Sequence, residues 1–361
     1  MKLIILNSIL LDILKKISGG IIKDTNNSNL SYILIKIIKN KIFCISINNV
    51  FEIVTYNIFD NNTYVFEIIL QYNLIYNICK KSPSASKIIF NKNKKYLEIF
   101  SDNTLFKINY KNGIFPSFNL TNNHILKIKI KSTLFLNNIK YAKTAALNSD
   151  IKNFLNGIFF EINLNSINVL SSDNIRFFYS SILINNYINN KISFIIPKIS
   201  INEILNVFMN TDYLYLFIYI NQIKIISHRI TFTSKLINDI YNLPLINLKT
   251  KYKINIMLKK NIFKEAIEKA ILLKSSTDKL NFLFGKNKLI INNTNLNENI
   301  NVFLNINYNL TDIIIVINYK YLLDILKILD NNTINLIIID KFLLLTENKS
   351  NFFYLITTFN L

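Results

Sequence analysis

Three stretches of the chain change from a short apolar strand pattern to the spacing of an amphipathic helix. They are IILQYNLIYNICKK at 68–81, FIIPKISINEILNVF at 194–208 and IVINYKYLLDILKIL at 315–329. In each stretch apolar residues follow at i, i+3 and i+4, which places three side chains on one face of a helix. These anchors are Ile75, Ile78 and Cys79, then Ile201, Ile204 and Leu205, then Leu322, Ile325 and Leu326. The first anchors recur at offsets of 126 and 121 residues, which predicts a threefold internal repeat.

A second helix precedes each of these stretches. The segments 8–20, 132–146 and 260–273 have amphipathic spacing and superpose on Leu11, Phe135 and Phe263. Alternating strand patterns follow at 87–110, 214–236 and 334–359. Each unit therefore combines two helices with many strands, and we predict an α+β fold with domains at 1–118, 126–246 and 250–361. The alternative, that isoleucine-rich sequence aligns with itself anywhere, does not account for the repeated helix spacing.

The composition excludes several classes of protein. Half of the 361 residues are hydrophobic, which is enough for substantial cores, and only five glycines and four prolines occur. Asn, Lys or an acidic residue interrupts every apolar stretch before the roughly 18 residues of a membrane-spanning helix. We interpret the first residues as a strand and a helix, not as a signal peptide. Two cysteines, Cys44 and Cys79, fit core positions in a reducing cytoplasm.

The formal charge of +20 is compatible with binding to nucleic acid. However, 40 of the 42 basic residues are lysine, and Ile, Asn, Lys, Phe and Tyr are abundant in every segment. This bias is what A+T pressure on codons produces. The charge therefore has two explanations, a localised basic face or compositional drift spread over the surface.

No catalytic or metal-binding arrangement emerges from the sequence. The glycines do not form a phosphate-binding loop, and His124 and His228 are 104 residues apart. We place His124 in a linker and His228 on a strand, as ordinary solvated or packed side chains. Glu265 and Glu268 have the spacing of an ordinary salt-bridged helix face. We predict no catalytic residues, no metal and no cofactor.

Five segments carry a resemblance to a known family. FLNGIFFEI at 154–162 leads to VLSSDNIRFF at 169–178; FIIPKISINEIL begins at 194, ITFTSKLINDIYNLP at 230 and VINYKYLLDIL at 316. These segments resemble motifs of the bacterial DNA polymerase III beta subunit, the beta sliding clamp. The resemblance covers nearly the whole chain and is faint only at 20–70.

The resemblance implies three repeated DNA-clamp domains in a crescent that dimerises head to tail into a ring. The ring would encircle double-stranded DNA without sequence preference, as a cytoplasmic, non-catalytic subunit of the replisome, with no membrane involved. Replicative polymerase and clamp-loader subunits would bind a cleft through short peptide motifs. The alternative is a monomeric basic scaffold that binds nucleic acid and is built from the same repeat.

The resemblance also implies the residues of the cleft. By position they are Leu155, Ser172, Asn174, Ile175, Arg176, Phe177, Asn242, Asn247, Tyr321, Phe342, Leu344, Leu355, Thr357, Thr358, Phe359 and Asn360. The family's turn Gly-His is Asn174-Ile175 here, its proline is Asn242, and its Met-Pro-Met-Arg-Leu tail reads TTFNL. Asn tolerates the left-handed backbone of a turn glycine, whereas the lost Pro and Met change the shape of the cleft. The apolar members have the alternative role of ordinary core residues.

Two further sets follow from the resemblance and from helix placement. The expected DNA-facing residues are Lys15, Lys16, Lys23, Lys80, Lys81, Lys140, Lys143, Lys152, Lys198, Lys264, Lys269 and Lys320. Lysine suits a sliding contact because it is a hydrated point charge without bidentate geometry. The expected dimer interface joins Phe106 to Leu272 and Leu273 of a domain-three helix, with intra-domain packing as the alternative.

Overall fold

The protein is described from a computed structural model. The structure describes residues 2–22, 29–38, 40–58, 66–92, 96–101, 103–111, 113–118, 123–147, 153–184, 190–241, 254–273, 277–295, 298–308, 312–348 and 350–359. The predicted residues Lys23, Lys152, Asn242, Asn247 and Asn360 lie outside these ranges.

The described elements occur three times in the same order. The first set is β1 (Lys2–Leu6), α1 (Asn7–Ile17), β2 (Tyr32–Ile38), β3 (Lys41–Ile47), β4 (Phe51–Ile58), β5 (Phe66–Gln71), α2 (Tyr72–Lys81), β6 (Lys87–Lys92), β7 (Leu97–Ser101) and β8 (Thr104–Ile108). The second set is β9 (Leu126–Lys131), α3 (Ser132–Ala145), β10 (Gly157–Asn163), β11 (Ser166–Ser172), β12 (Arg176–Leu183), β13 (Ile192–Pro197), α4 (Lys198–Phe208), β14 (Tyr213–Ile218), β15 (Gln222–Ser227) and β16 (Ile230–Lys235). The third set is β17 (Ile254–Lys259), α5 (Lys260–Ala270), β18 (Lys279–Gly285), β19 (Lys288–Thr294), β20 (Asn299–Asn305), β21 (Ile313–Asn318), α6 (Tyr319–Ile328), β22 (Thr333–Ile339), β23 (Phe342–Glu347) and β24 (Phe352–Thr357). This order confirms the predicted α+β repeat of two helices and antiparallel strands.

The chain forms two compact units, Met1–Leu136 with Ile199–Leu236 and Asn137–Lys198 with Ile237–Leu361. In the first unit the sheet orders are β1-β6-β7-β8 and β5-β2-β3-β4-β16-β15-β14-β9. In the second unit they are β13-β10-β11-β12-β24-β23-β22-β17 and β20-β19-β18-β21. Each eight-stranded sheet joins strands from two sequence repeats, through the β4–β16 pairing and the β12–β24 pairing. The predicted three-domain boundaries remain a prediction.

The helix anchors occupy buried faces, with two differences from the sequence prediction. Eight of the nine anchors are buried, but Leu205 is only partly buried, and Val207 and Phe208 are buried instead. The buried face of α4 continues from Ile204 to the next turn of the helix. Leu205 lies about 100° around the helix from Ile204 and is therefore at the edge of that face. In α1 the buried apolar positions are Leu10, Ile13, Leu14 and Ile17, so Leu11 lies beside the core and not at its centre.

The two cysteines and the histidines have structural positions. Cys44 and Cys79 are both fully buried free thiols, and burial raises the pKa of each to about 12. Such thiols are not ionised at neutral pH and are therefore poor nucleophiles. His228 lies in the β15–β16 turn with a φ of 43°, so its predicted place on a strand was wrong. His124 precedes β9 and packs edge-on against Phe217.

A carboxyl group is buried in the first unit where α4 meets the turn that follows α1. Glu203 of α4 is 9 % exposed, and it accepts hydrogen bonds from the backbone N–H of Gly19 and from Asn206 Nδ2 at 3.4 Å. Burial raises the pKa of Glu203 above its usual value, and the two hydrogen bonds only partly offset this. The folded state therefore holds the Glu203 proton more tightly than the unfolded chain does.

We expect Glu203→Gln to raise the free energy of unfolding at neutral pH. The stability contributed by a carboxyl group with a raised folded-state pKa falls as the pH rises from the unfolded pKa through the folded pKa. Glutamine keeps an acceptor for the Gly19 N–H but does not ionise. Denaturant unfolding at several pH values should show a larger gain for the variant above this window than at pH 4. Glu265→Gln, at an exposed position of α5, is the matched control. A gain that does not depend on pH would contradict the prediction.

Candidate functional site

The predicted cleft residues meet at a tight turn between β11 and β12 in the second unit. Asn174 has a φ of 74°, the left-handed conformation expected of an asparagine that replaces a turn glycine. Asp173 Oδ1 accepts the backbone N–H groups of Ile175 at 3.0 Å and Arg176 at 2.8 Å. Ser172 Oγ donates to the Arg176 carbonyl at 2.9 Å and accepts from the Asn174 N–H at 3.0 Å. The turn is thereby held by its own side chains.

Arg176 links this turn to helix α6. Its Nε donates to Asp173 Oδ2 at 2.9 Å, and a terminal nitrogen donates to Asp324 Oδ2 at 3.2 Å. The guanidinium lies 4.4 Å from the centre of the Tyr321 ring, a cation–π contact. The Arg176 side chain is 13 % exposed and that of Asp173 is 9 % exposed, so this pair is largely shielded from water. Burial raises the pKa of Tyr321, which stays a neutral platform for the arginine.

An apolar surface lies beside the turn on the eight-stranded sheet. Phe177 pairs with Leu355 across β12 and β24, and Leu355 pairs with Leu344 across β24 and β23. These three residues form a buried cluster with Leu170 and Ile339. Partly buried side chains pack against the cluster; they are Phe159, Tyr179, Ile337, Phe342 and Phe353. The surface is therefore rich in aromatic residues at its accessible edge.

A second apolar cluster surrounds the predicted residue Leu155. Leu155 is 1 % exposed and packs with Ile195 and Tyr241. Tyr241 stacks on Phe159 at 4.9 Å, and Phe159 also packs against the first cluster. Gly157 follows at the start of β10, where an added Cβ would lie 2.7 Å from the Ile196 carbonyl oxygen. The glycine of the LNG motif is therefore required by the close approach of β13.

The end of the chain adds the last described members. Thr357 donates through both its N–H and its hydroxyl to the Ile175 carbonyl, at 2.9 and 3.0 Å. The Thr358 N–H donates to the Lys341 carbonyl at 2.8 Å, and the Phe359 N–H donates to Val316 of β21 at 2.9 Å. Lys279 Nζ lies 4.0 Å from the centre of the Phe359 ring. The last strand therefore fastens the β11–β12 turn.

Several residues that the sequence analysis did not single out complete this site. Asp173 and Asp324 hold Arg176, Tyr241 stacks on Phe159, and Lys279 covers Phe359. Asp173, Asp324 and Tyr241 lie inside the motifs quoted above, so a signal for them was present. Lys279 lies outside every motif.

The predicted DNA-facing lysines have different environments. Lys15, Lys80, Lys81 and Lys269 are exposed, while Lys143 is partly buried; all five lie in the last turns of their helices. Four others are paired with carboxylates: Lys16 with Asp12, Lys140 with Asp330, Lys264 with Glu268 and Lys320 with Asp278. Lys198 donates to the Ala146 carbonyl at the end of α3. Burial, then the charges of Arg176 and Lys143, lower the pKa of Lys198 to about 8.

The predicted interface residues occupy exposed or partly exposed positions. Phe106 lies on β8, the outermost strand of its four-stranded sheet, and lines a cavity of about 330 Å³ with Leu74 and Ile78. Leu272 is 77 % exposed and Leu273 is partly buried. Helix α5 ends at Ala270, so the prediction that these leucines lie on the helix was wrong. They lie in the following turn, where Leu272 N donates to the Lys269 carbonyl.

Neither a metal cluster nor a membrane-spanning helix occurs in the described part of the chain. They contain no group of three or more His, Cys, Asp or Glu side chains that could hold a metal ion. Among the same ranges, no helix has the length and apolar character needed to cross a bilayer.

Comparison with known proteins links the chain to one family. Residues 129–242 match the family described as "DNA polymerase III beta subunit, central domain". The Beta sliding clamp of Buchnera aphidicola subsp. Rhopalosiphum padi is 27% identical over 91% of this chain and 90% of its own length. The DNA polymerase III subunit beta of Pseudomonas aeruginosa has the same fold, with a TM-score of 0.92, 19% identity and full coverage of both chains. The Helicobacter pylori beta clamp, solved with a DNA ligase peptide, has a TM-score of 0.91, 20% identity and full coverage of both chains. Residues 129–242 therefore match the central domain of the DNA polymerase III beta subunit, and the chain as a whole is similar to beta sliding clamps in sequence and has their fold.

Proposed function

We propose that the chain acts as a DNA sliding clamp: two copies close a ring around double-stranded DNA and tether the replicative polymerase. The observation that carries this proposal is the clamp fold, shared with solved beta subunits over the full length of the chain. A ring that acts by topology needs no nucleotide chemistry, so we infer a non-catalytic subunit that works in the cytoplasmic replisome. The domain limits 1–118, 126–246 and 250–361 belong to this proposal.

We infer that the surface around Arg176 binds short peptides of partner proteins. The Helicobacter pylori clamp was solved with such a peptide, which supports a peptide site in this family. Here the accessible edge of the site is apolar and aromatic, because partly buried side chains such as Phe159, Phe342 and Phe353 pack against the buried cluster. Such a surface fits a short motif that carries Leu and Phe side chains. Polymerase and clamp-loader subunits are the expected carriers.

The contacts with DNA would be weak and independent of sequence. Lys15, Lys80, Lys81 and Lys269 are the strongest candidates, because they are exposed and lie at helix ends. A lysine ammonium contacts phosphate as a point charge, which permits sliding. Lys16, Lys140, Lys264 and Lys320 would exchange a carboxylate partner for a phosphate. Lys198 is the weakest candidate, since its ammonium is engaged by the end of α3.

The test of ring function is retention on circular DNA. The protein would be loaded by a bacterial clamp loader and ATP onto a nicked circular plasmid, then passed through gel filtration at high salt. We expect it to remain with the circle and to be released when a restriction enzyme linearises the plasmid. Release by salt from circular and linear DNA alike would contradict the clamp and favour a monomeric scaffold, because phosphate contacts alone are salt-sensitive.

A further inference from the structure

Paired lysine and aromatic side chains cover the solvent-facing side of two neighbouring strands in the first unit. On β9 Lys127, Lys129 and Lys131 are exposed while Ile128 and Ile130 are buried. On β14 the aromatic side chains Tyr213, Tyr215 and Phe217 point to the same face, because they lie directly opposite these lysines in the antiparallel register. We call these three lysines and three aromatic residues the lysine–aromatic face.

The lysines lie close to the aromatic rings. Lys129 Nζ is 4.5 Å from the centre of the Tyr213 ring and 5.9 Å from that of Tyr215. Lys127 Nζ is 5.3 Å from the Phe217 ring and 5.7 Å from the Tyr215 ring. Tyr213 is 42 % exposed. A row of three lysines on β9 therefore runs alongside a row of three aromatic side chains on β14.

A groove of about 730 Å³ continues from this face. Tyr213 and Tyr215 form part of its wall, together with His228 and Arg229 of the β15–β16 turn. Asp12 and Asp212 also line the groove, and Asp12 is engaged by Lys16 at 2.6 Å. Arg229 is one of the two arginines in the chain. The groove thus adds a further cation and an imidazole to the same two tyrosines.

We propose that the lysine–aromatic face and its groove form a binding site for single-stranded nucleic acid. Proteins that bind single strands combine a basic groove, which follows the phosphates, with aromatic side chains on which successive bases stack. Exposed aromatic residues on a sheet surface are one established form of such a platform. Here Tyr213, Tyr215 and Phe217 supply the rings, and Lys127, Lys129, Lys131 and Arg229 supply the charge.

The observations favour nucleic acid over an acidic protein segment. An acidic segment would be recognised by the lysines alone, and the aromatic row would then contribute only to the stability of the sheet. The face places a row of lysines beside a row of aromatic side chains, and two of its rings also line the groove. This arrangement matches a single strand of nucleic acid, which carries charged phosphates along its backbone and flat bases beside them. The face belongs to the first unit, whereas the described peptide-site residues belong to the second.

Fluorescence anisotropy with a labelled oligo(dT) of about 12 nucleotides tests the proposal on the full chain. Tyr213→Leu/Tyr215→Leu should weaken binding about tenfold without changing the salt dependence, because it removes stacking but no charge. Lys129→Gln/Lys131→Gln should weaken binding and also reduce the slope of log K against log salt by about 1.4. Thermal unfolding of each variant is measured alongside, and the lysine variant decides if the tyrosine variant does not fold.

The matched control is Lys41→Gln/Lys107→Gln, which removes two lysines from cation–π pairs elsewhere in the first unit. Its affinity should stay within about twofold of the parent protein. Absence of binding by the parent protein, or an equal loss in the control, would overturn the proposal. If a folded tyrosine variant kept its affinity, or if poly-glutamate displaced the oligonucleotide as well as unlabelled oligo(dT) does, the face would bind polyanions in general and the proposal would be wrong. Displacement of the oligonucleotide by a Leu/Phe-bearing peptide would assign its binding to the Arg176 site instead.

Discussion

Arg176→Ala is expected to weaken binding of a Leu/Phe-bearing peptide at least about tenfold and to lower the free energy of unfolding by about 3 kcal/mol. The Arg176 guanidinium pairs with Asp173 in the β11–β12 turn, and it also contacts the Asp324 carboxylate and the Tyr321 ring on α6. Its removal leaves the Asp173 carboxylate, 9 % exposed, without its cation. An uncompensated charge in a shielded position is costly, and the β11–β12 turn would lose its connection to α6.

Arg176→Lys separates charge from geometry in the same experiment. A lysine ammonium can pair with one carboxylate but cannot reproduce the fork or the flat contact with Tyr321. We therefore expect it to recover part of the stability and little of the peptide affinity, measured by denaturant unfolding and by anisotropy of a labelled peptide. Arg229→Ala is the matched control, because it removes the other arginine from a position in the first unit. If Arg176→Ala bound the peptide as well as the control did, the proposed site would be wrong.

Phe106→Glu is expected to convert a dimer into a 42.2 kDa monomer at concentrations where the parent protein is fully paired. Phe106 lies on the outermost strand of its sheet, beside the half-exposed Leu105. If it packs on Leu272 and Leu273 of the partner subunit, the change removes roughly 1.5–3 kcal/mol of apolar burial at each contact. It also places a charge in a desolvated interface, which adds to the loss.

Sedimentation equilibrium or mass photometry would measure this change directly. Ile220→Glu introduces the same charge at a residue that is 76 % exposed in a turn of the first unit, and it should leave the dimer intact. If both variants stayed dimeric, Phe106 would belong to intra-domain packing. If the parent protein were monomeric at every concentration, the ring itself would be contradicted.

The local order of elements could be predicted from the sequence, because helix periodicity is a local signal. The i, i+3, i+4 anchors located α2, α4 and α6, and the turn asparagine at 174 has the predicted left-handed backbone. The end of α5 was misplaced because Ile271, Leu272 and Leu273 continue an apolar run, while the helix stops at Ala270. Hydrophobicity alone carries no stop signal here, since neither a glycine nor a proline follows.

Contacts between distant segments could not be predicted in the same way. Asp324 reaches Arg176 across 148 residues of sequence. The carboxylates of Asp330 and Asp278, which pair with Lys140 and Lys320, are also distant from these lysines in the sequence. The predicted domains also did not specify which strands pair between repeats, namely β4 with β16 and β12 with β24. Strand pairing depends on three-dimensional proximity, and alternating residues specify a face of the sheet but not a neighbour.

The pairing of β12 with the last strand has a consequence for synthesis of the protein. β12 ends at Leu183 and its partner β24 begins at Phe352, so the ribosome must add about 170 residues before they can meet. At about 5–20 residues per second this interval lasts roughly 10–30 seconds. During that time the aromatic strand RFFYSSIL has one unsatisfied edge, a template for pairing with neighbouring nascent chains. Yield in a cell should therefore depend on chaperones that bind extended aromatic segments, and on the rate of translation between these two strands.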